Sequence, residues 1–241
     1  HDPKYEGITP RPAEAADFDY DYLVAAVGEI AHQCEKQQKI VNLSIISTVL
    51  PGTVTREIRP LLNPFVQLHY NPFFIAMGTT VRDFRNPEFV LIGSDHEPNQ
   101  LMELYRTFIK SPSFACVTVE EAELIKVAYN TYISTKIVFA NTLMEICHFG
   151  KNMDVDNVTD VLKMATRRLI SPAYMTAGMG DGGGCHPRDN IAMSYLAKKL
   201  ELSHNLFEDI TDARDRQTTF PASPVATQAS KALYAVILGK T

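Results

Sequence analysis

Cys185 is the side chain in this 241-residue sequence whose surroundings most favour nucleophilic chemistry. It follows Gly178-Met179-Gly180-Asp181-Gly182-Gly183-Gly184, a run nearly free of side chains whose backbone can approach a ligand closely and adopt left-handed conformations. His186 and Arg188 flank the thiol, Pro187 fixes the backbone just beyond it, and Asp189 stands one helical turn on. An apolar-periodic run from Ile191 (Ala192, Tyr195, Leu196, Leu200) then predicts a helix. A nearby helix start and adjacent cations favour the thiolate, the form that attacks a carbonyl carbon. The bland alternative is a glycine-rich surface loop with an incidental cysteine.

Two further polar groups have the spacing of a site. Thr118 and Glu121 form a capping box and Gly150 supplies a stop, so residues 119–149 predict one helix of about 46 Å. Most of its surface is apolar (Leu124, Ile125, Val127, Ile133, Val138, Phe139, Leu143, Ile146), which implies burial on several sides, between domains or subunits. Across it run Lys126, Asn130, Ser134, Asn141 and Glu145, on one face. A lysine and an asparagine one turn apart on a mostly buried helix are costly unless partnered, so they are a candidate site wall; the alternative is a solvated stripe. The other group is Ser47-Thr48-Val49-Leu50-Pro51-Gly52-Thr53, which ends a β-rich run from Ile40 and turns into a predicted helix over 54–62. In an open α/β sheet ligands bind beyond the carboxyl ends of strands, which is where Ser47 and Thr48 would meet a cofactor or substrate. Alternatively, these hydroxyls only cap the next helix.

The elements that must position these groups follow from periodicity. Pro3, Pro10 and Pro12 make the start a loop, and Asp19 to Cys34 predict an amphipathic helix. Val66 to Tyr70 and Phe89 to Ile92 predict buried strands around a loop from Asn71 to Pro87, and Pro98 to Ile109 a helix. This alternation predicts a parallel sheet. Further helices are predicted over Asp154 to Ala165 and Ser203 to Gln217. The fold class expected is α/β plus all-α: a partial Rossmann-like parallel sheet followed by a helical domain built on one long central helix. The domains expected are 1–110, the second half of a dinucleotide-binding domain; 111–218, a central helical domain; and 219–241, a linker marked by Pro221 and Pro224 leading into the first strand of a further domain. No GxGxxG turn follows a predicted strand, and a chain that starts in a loop and ends on a strand reads as a piece of a longer protein.

Composition narrows the function classes. The formal net charge is −5 and no Lys/Arg-rich run appears, which argues against nucleic acid or an anionic membrane as partner. No apolar run approaches the roughly 20 residues of a bilayer span, and His1-Asp2-Pro3 does not open a signal peptide, so a cytoplasmic location is expected. Cys34, Cys116, Cys147 and Cys185 are far apart with no CxxC pair, which predicts free thiols and no metal site.

The combination resembles the UDP-glucose/GDP-mannose dehydrogenase family of nucleotide-sugar 6-dehydrogenases. The family's G-G-x-C-x-P-K-D loop is matched by Gly182 to Asp189, its K-x-x-x-N pair by Lys126 and Asn130, and its S-T-V-x-x-G-T strand end by Ser47 to Thr53. Asn71-Pro72-Phe73-Phe74, then Val81-Arg82-Asp83-Phe84, then Pro87 to Gly93 resemble a further family stretch. The resemblance implies NAD-dependent oxidation of C6 of a nucleotide-linked hexose to the carboxylate, through a thiohemiacetal and a thioester on Cys185. By the same resemblance Lys126 and Asn130 stabilise the oxyanion, Asp189 holds Lys126 or assists a water, and Thr48 positions water or cofactor. Ser47, Thr48 and Arg188 would face NAD, while Gly182, Gly183, Lys126 and Asn130 would face the substrate. A homodimer through the long helix is expected, and the 241 residues alone are expected to be inactive. Two departures stand out: Phe73 and Met77 occupy positions where relatives carry glutamates near the hydrolytic water, and Arg188 replaces a lysine. Two other readings are a binding or assembly module on the same fold, and an alcohol dehydrogenase that stops at the aldehyde.

Overall fold

The structure, a computed structural model, describes residues 17–76, 78–171, 173 and 185–218. The readings made for the N-terminal loop up to residue 16, for Met77, for the glycine run up to Gly184 and for residues 219–241 lie outside the described residues.

Helix α1 (Asp21–Gln37) forms because Val27, Ala31 and Cys34 recur on one face and are buried there. It stops where Gln38 turns left-handed and donates its N–H to the carbonyls of Cys34 and Glu35. The sheet follows in the order β1 (Val41–Ile45), β2 (Val66–Tyr70), β3 (Val90–Gly93) and β4 (Phe114–Val117). Strands β1 and β2 are parallel, in register from Val41 against Val66 to Ile45 against Tyr70, and β3 and β4 are likewise parallel. At the centre β2 meets β3 antiparallel, through Tyr70 opposite Gly93, so the sheet is mostly rather than wholly parallel. The segment between them carries only α2 (Thr80–Arg85), about 9 Å long. Such a helix is shorter than the one that usually returns a chain for parallel pairing.

Both faces of the sheet are covered. Leu91 points into one cluster with Val27, Ile45, Val49, Val54, Ile58, Leu68, Tyr70, Val119 and Ala122. Its neighbours Val90 and Ile92 point the other way, against Leu101 and Tyr105 of α3 (Asn99–Arg106) and Ile109. The helix predicted over 54–62 is instead a wide turn, Val54–Ile58, closed by Arg59 N–H to the Val54 carbonyl, and a tighter turn, Arg59–Leu61. Pro60 lacks the N–H that a regular helix needs there.

The long helix is α4 (Val119–Phe149). Its capping box is made: the backbone and hydroxyl of Thr118 both donate to the Glu121 carboxylate, and Glu121 N–H donates to the Thr118 hydroxyl. Gly93 lets this first turn settle on the sheet, since a Cβ there would come within 2.9 Å of the Val119 Cα and 2.7 Å of the Ala122 Cβ. The chain divides into two compact units between Ile133 and Ser134, inside α4. The second unit contains α5 (Val155–Lys163), capped by the Asp154 side chain, α6 (Cys185–Lys199) and α7 (Leu206–Thr218). There Ile146 of α4 packs with Ala197 of α6 and Phe207 of α7. Among the described residues no helix is long and apolar enough to cross a membrane, and no group of three His, Cys, Asp or Glu side chains could hold a metal ion.

Candidate active site

Lys126 lies two turns into α4, where the helix is anchored most firmly. Glu123, one turn earlier, is fully buried and accepts hydrogen bonds from the N–H groups of Gly52 (2.6 Å) and Val54 (2.8 Å). Its carboxylate thus satisfies amides that open the Val54–Ile58 turn, as an N-terminal cap does, from a residue about seventy positions away. Glu120 adds a bond from the Thr55 hydroxyl at 2.5 Å. The loop after β1 is therefore fastened to α4 just before Lys126.

Only 8% of Lys126 is exposed. Its Nζ donates to the Phe73 carbonyl at 2.7 Å and stands 4.8 Å from the centre of the Phe74 ring. No carboxylate pairs with it among the described residues, and burial holds its ammonium below the ordinary lysine range. The 71–76 segment supplies these partners in alternation. Asn71 fixes its start by donating to the Leu91 carbonyl (2.7 Å) and accepting from the Tyr105 hydroxyl. The Phe73 ring turns into the core against Phe84, whereas the Phe74 ring packs on Phe89 and Tyr129.

Beside this ammonium lies a cavity of about 280 Å³, lined in part by Phe74, Asp83, Glu88, Tyr129 and Asn130. Asp83 accepts from the Thr79 hydroxyl, the Ala76 N–H and Arg82 Nε, and these bonds hold its carboxyl below the usual range. Glu88 accepts from the Tyr129 hydroxyl at 3.3 Å. Burial, and then the Glu88 charge, push the Tyr129 phenol upward. The cavity lining thus brings together one buried cation, an amide side chain and two carboxylates.

Of the predicted site residues, Lys126 and Asn130 therefore share one cavity, with Lys126 buried and Asn130 exposed. The rest of the polar line does other work: Asn141 is half-buried, and Glu145 accepts from the N–H and hydroxyl of Ser203 ahead of α7. A uniformly solvated stripe is not what forms. Ser47 is exposed and Thr48 half-buried just past β1, outside the Lys126 cavity. Neither hydroxyl caps the following turn, because Glu123 does so. Both lie at the carboxyl end of a parallel strand, with no hydrogen-bond partner among the described residues.

In the second unit Cys185 is the first residue of α6, so that helix starts earlier than the run from Ile191 predicted and takes in Arg188 and Asp189. Pro187 is tolerated in a first turn, where no intrahelical partner awaits its missing N–H. Cys185 consequently stands at the end of a 15-residue helix whose free N–H groups favour negative charge. Gly182 and Gly183 lie outside the described residues. Sequence reasoning did not find Glu123, Asp83, Glu88, Tyr129 or the Phe73 carbonyl as parts of the site. Asp83 and Glu88 do fall in the stretch that carried the family resemblance, which was the available signal.

Comparison with known proteins gives a consistent result. Residues 8–109 match the NAD binding domain of the UDP-glucose/GDP-mannose dehydrogenase family, and residues 120–216 match its central domain. The chain is 29% identical over 212 residues to GDP-mannose 6-dehydrogenase of Pseudomonas aeruginosa, covering 83% of this chain and 48% of that protein. It is also 29% identical over 220 residues to a UDP-glucose 6-dehydrogenase of Bacillus subtilis, covering 88% of this chain and 46% of that protein. Among solved structures, a ternary complex of GDP-mannose dehydrogenase from Pseudomonas aeruginosa superposes with a TM-score of 0.79 at 27% identity, over 87% of this chain and 50% of that one. The chain thus spans about half the length of the curated relatives it matches.

Proposed function

Because the chain belongs to the UDP-glucose/GDP-mannose dehydrogenase family, whose NAD binding and central domains it matches, we propose that it serves in the oxidation of C6 of a nucleotide-linked hexose to the carboxylate. The observation that carries this reading is Lys126: a buried ammonium with a carbonyl and a ring for partners, no carboxylate paired with it among the described residues, and a cavity beside it. A cation left without a counter-ion in a desolvated site is preorganised for an oxyanion that appears only during reaction. NAD, when bound, supplies the hydride acceptor for both oxidations.

The residues of the chain supply the rest. Lys126 and Asn130 hold the oxygen on C6 as it gains negative charge. Cys185, favoured as a thiolate by the start of α6, adds to the aldehyde carbon to form a thiohemiacetal. Loss of hydride from that carbon leaves a thioester, which water cleaves to release the acid and the thiol. Ser47, Thr48 and Arg188 contact the cofactor, Gly182 and Gly183 admit the sugar, and Asp189 orients Lys126 or a water. Residues 1–110 act as the second half of the cofactor domain, 111–218 as the central domain and 219–241 as the lead into a further one. The protein works in the cytoplasm as a homodimer through α4. Neither nucleic acid nor a membrane is a partner, and no metal takes part.

The test is the number of NADH formed per sugar consumed by the full-length protein, across UDP- and GDP-hexoses, with Cys185→Ser alongside. Two per sugar, abolished in the serine variant, is the expected result. One per sugar, with no effect of the serine, would leave an alcohol dehydrogenase. No NADH with any sugar, together with measurable sugar binding, would leave a binding module. The 241 residues alone are expected to form none.

A further inference from the structure

The cavity beside Lys126 holds two carboxylates, and they are occupied differently. Asp83 commits both oxygens to its own surroundings, Oδ2 to Ala76 and Thr79 and Oδ1 to Arg82. Glu88 accepts a single hydrogen bond, from Tyr129 to Oε2, and its Oε1 has no partner among the described residues. Phe73 offers the cavity no acid, since its ring packs against Phe84 and its carbonyl meets Lys126.

Thioester cleavage as proposed above needs a base that can take a proton from water while the carbonyl oxygen becomes negative. We propose that Glu88 is that base, a catalytic residue in this cavity, and that Tyr129 is its positioning partner. The inference rests on the function proposed above. A cavity of about 280 Å³ has room for the reacting end of a sugar and for water. Glu88 Oε1 accepts one proton of a water whose oxygen bonds to the acyl carbon. Lys126 holds the resulting oxyanion. When the oxyanion collapses, the carbon–sulfur bond breaks, and the proton held by Glu88 is returned to the departing thiolate. Water and thioester thus give acid and thiol, with no change of oxidation state.

The experiment follows NADH release and the intact mass of the full-length protein, for wild type, Glu88→Gln, Glu88→Asp and Tyr129→Phe. Glu88 is exposed and held by one long hydrogen bond, so its substitution leaves the fold in place. Expected for Glu88→Gln is a wild-type burst of up to two NADH per site, then turnover at least about 100-fold slower, with an acyl adduct accumulating on Cys185. Glu88→Asp should restore part of the rate, and Tyr129→Phe should lower kcat about tenfold with little change in KM. The inference is overturned if Glu88→Gln turns over like wild type without an adduct, or if it loses the burst as well. A wild type that forms no NADH from any nucleotide sugar would remove the proposed function, and this assignment with it.

Discussion

The two halves of α4 differ in how they are tied to their units. From Val119 to Ile133 the helix is tied to its unit by polar side chains whose partners are distant in sequence: Glu120 to Thr55, Glu123 to Gly52 and Val54, Lys126 to Phe73 and Tyr129 to Glu88. From Ser134 to Phe149 its ties include Glu145 to Ser203 and a small apolar contact around Ile146. Ile137, Val138 and Phe139 are meanwhile 55%, 44% and 40% exposed. A continuous helix thus fixes Lys126 in its first half by satisfying buried polar atoms, while apolar side chains are exposed along both halves, at Leu124 and Ile133 as well as from Ile137 to Phe139. Hydrogen bonds specify one position for Lys126, whereas apolar contact is non-directional and suits an interface.

Breaking the polar half should cost the most. Glu123→Ala leaves two amides without acceptors inside the core, and a loss of about 4 kcal/mol in unfolding free energy is expected from denaturant titration. A loss under about 1 kcal/mol would mean that the loop after β1 is held by something else. Gly93→Ala comes next, at about 3 kcal/mol, because the added Cβ meets backbone at Val119 and cannot be relieved by rotating a side chain. In the other half, Glu145→Ala removes two hydrogen bonds at a half-buried site and should cost about 1.5 kcal/mol, localised by hydrogen exchange to the start of α7.

The same contrast explains what was legible in the sequence. Strand β2 and the capped helix from Val119 to Phe149 were readable because alternation, caps and stops are local signals. Strand β4 was missed: four residues, none of them fully buried, carry no alternation to read. The antiparallel meeting of β2 and β3 depends on where the chain travels between them, which no local pattern records. For the site, the spacing of Lys126 and Asn130 marked the wall. Its furnishings did not show, because Phe73 contributes a carbonyl rather than its side chain, and Glu123 and Glu88 read as ordinary surface acids until their distant partners are known. Cys185 is expected at the end of a loop near a helix read from Ile191; it is instead the first residue of that helix, whose first turn accommodates Pro187.

Lys126→Met sharpens the comparison from the stable side. Burial lowers the Lys126 pKa in the folded chain, so the native state releases this proton before the unfolded state does as pH rises. The unfolded state then binds more protons, and stability rises with pH from the lowered native value up to the unfolded value near 10.4. Methionine removes the ammonium while filling a similar space. It should therefore abolish this alkaline slope and gain about 1 kcal/mol at neutral pH, while NADH formation by the full-length protein is lost. An unchanged slope would show that Lys126 is not the group responsible.

The smallest change in stability is expected in the apolar half. Replacing Ile137 and Phe139 together by serine removes apolar groups that already face water within one chain, so monomer unfolding should shift by less than about 0.5 kcal/mol. Self-association should respond far more. Ile137 and Phe139 lie on opposite sides of the helix, so if this segment enters a two-fold contact, the substitution on the contacting side is felt twice, once from each copy. Loss of the apolar area then weakens the dimer by a factor that sedimentation at micromolar concentration reads directly. A wild type that sediments as a monomer, or a double variant that dimerises as well as wild type, would separate the two halves differently: the exposed run would no longer be explained by a second copy, and the polar half would remain the only part of α4 with an assigned role.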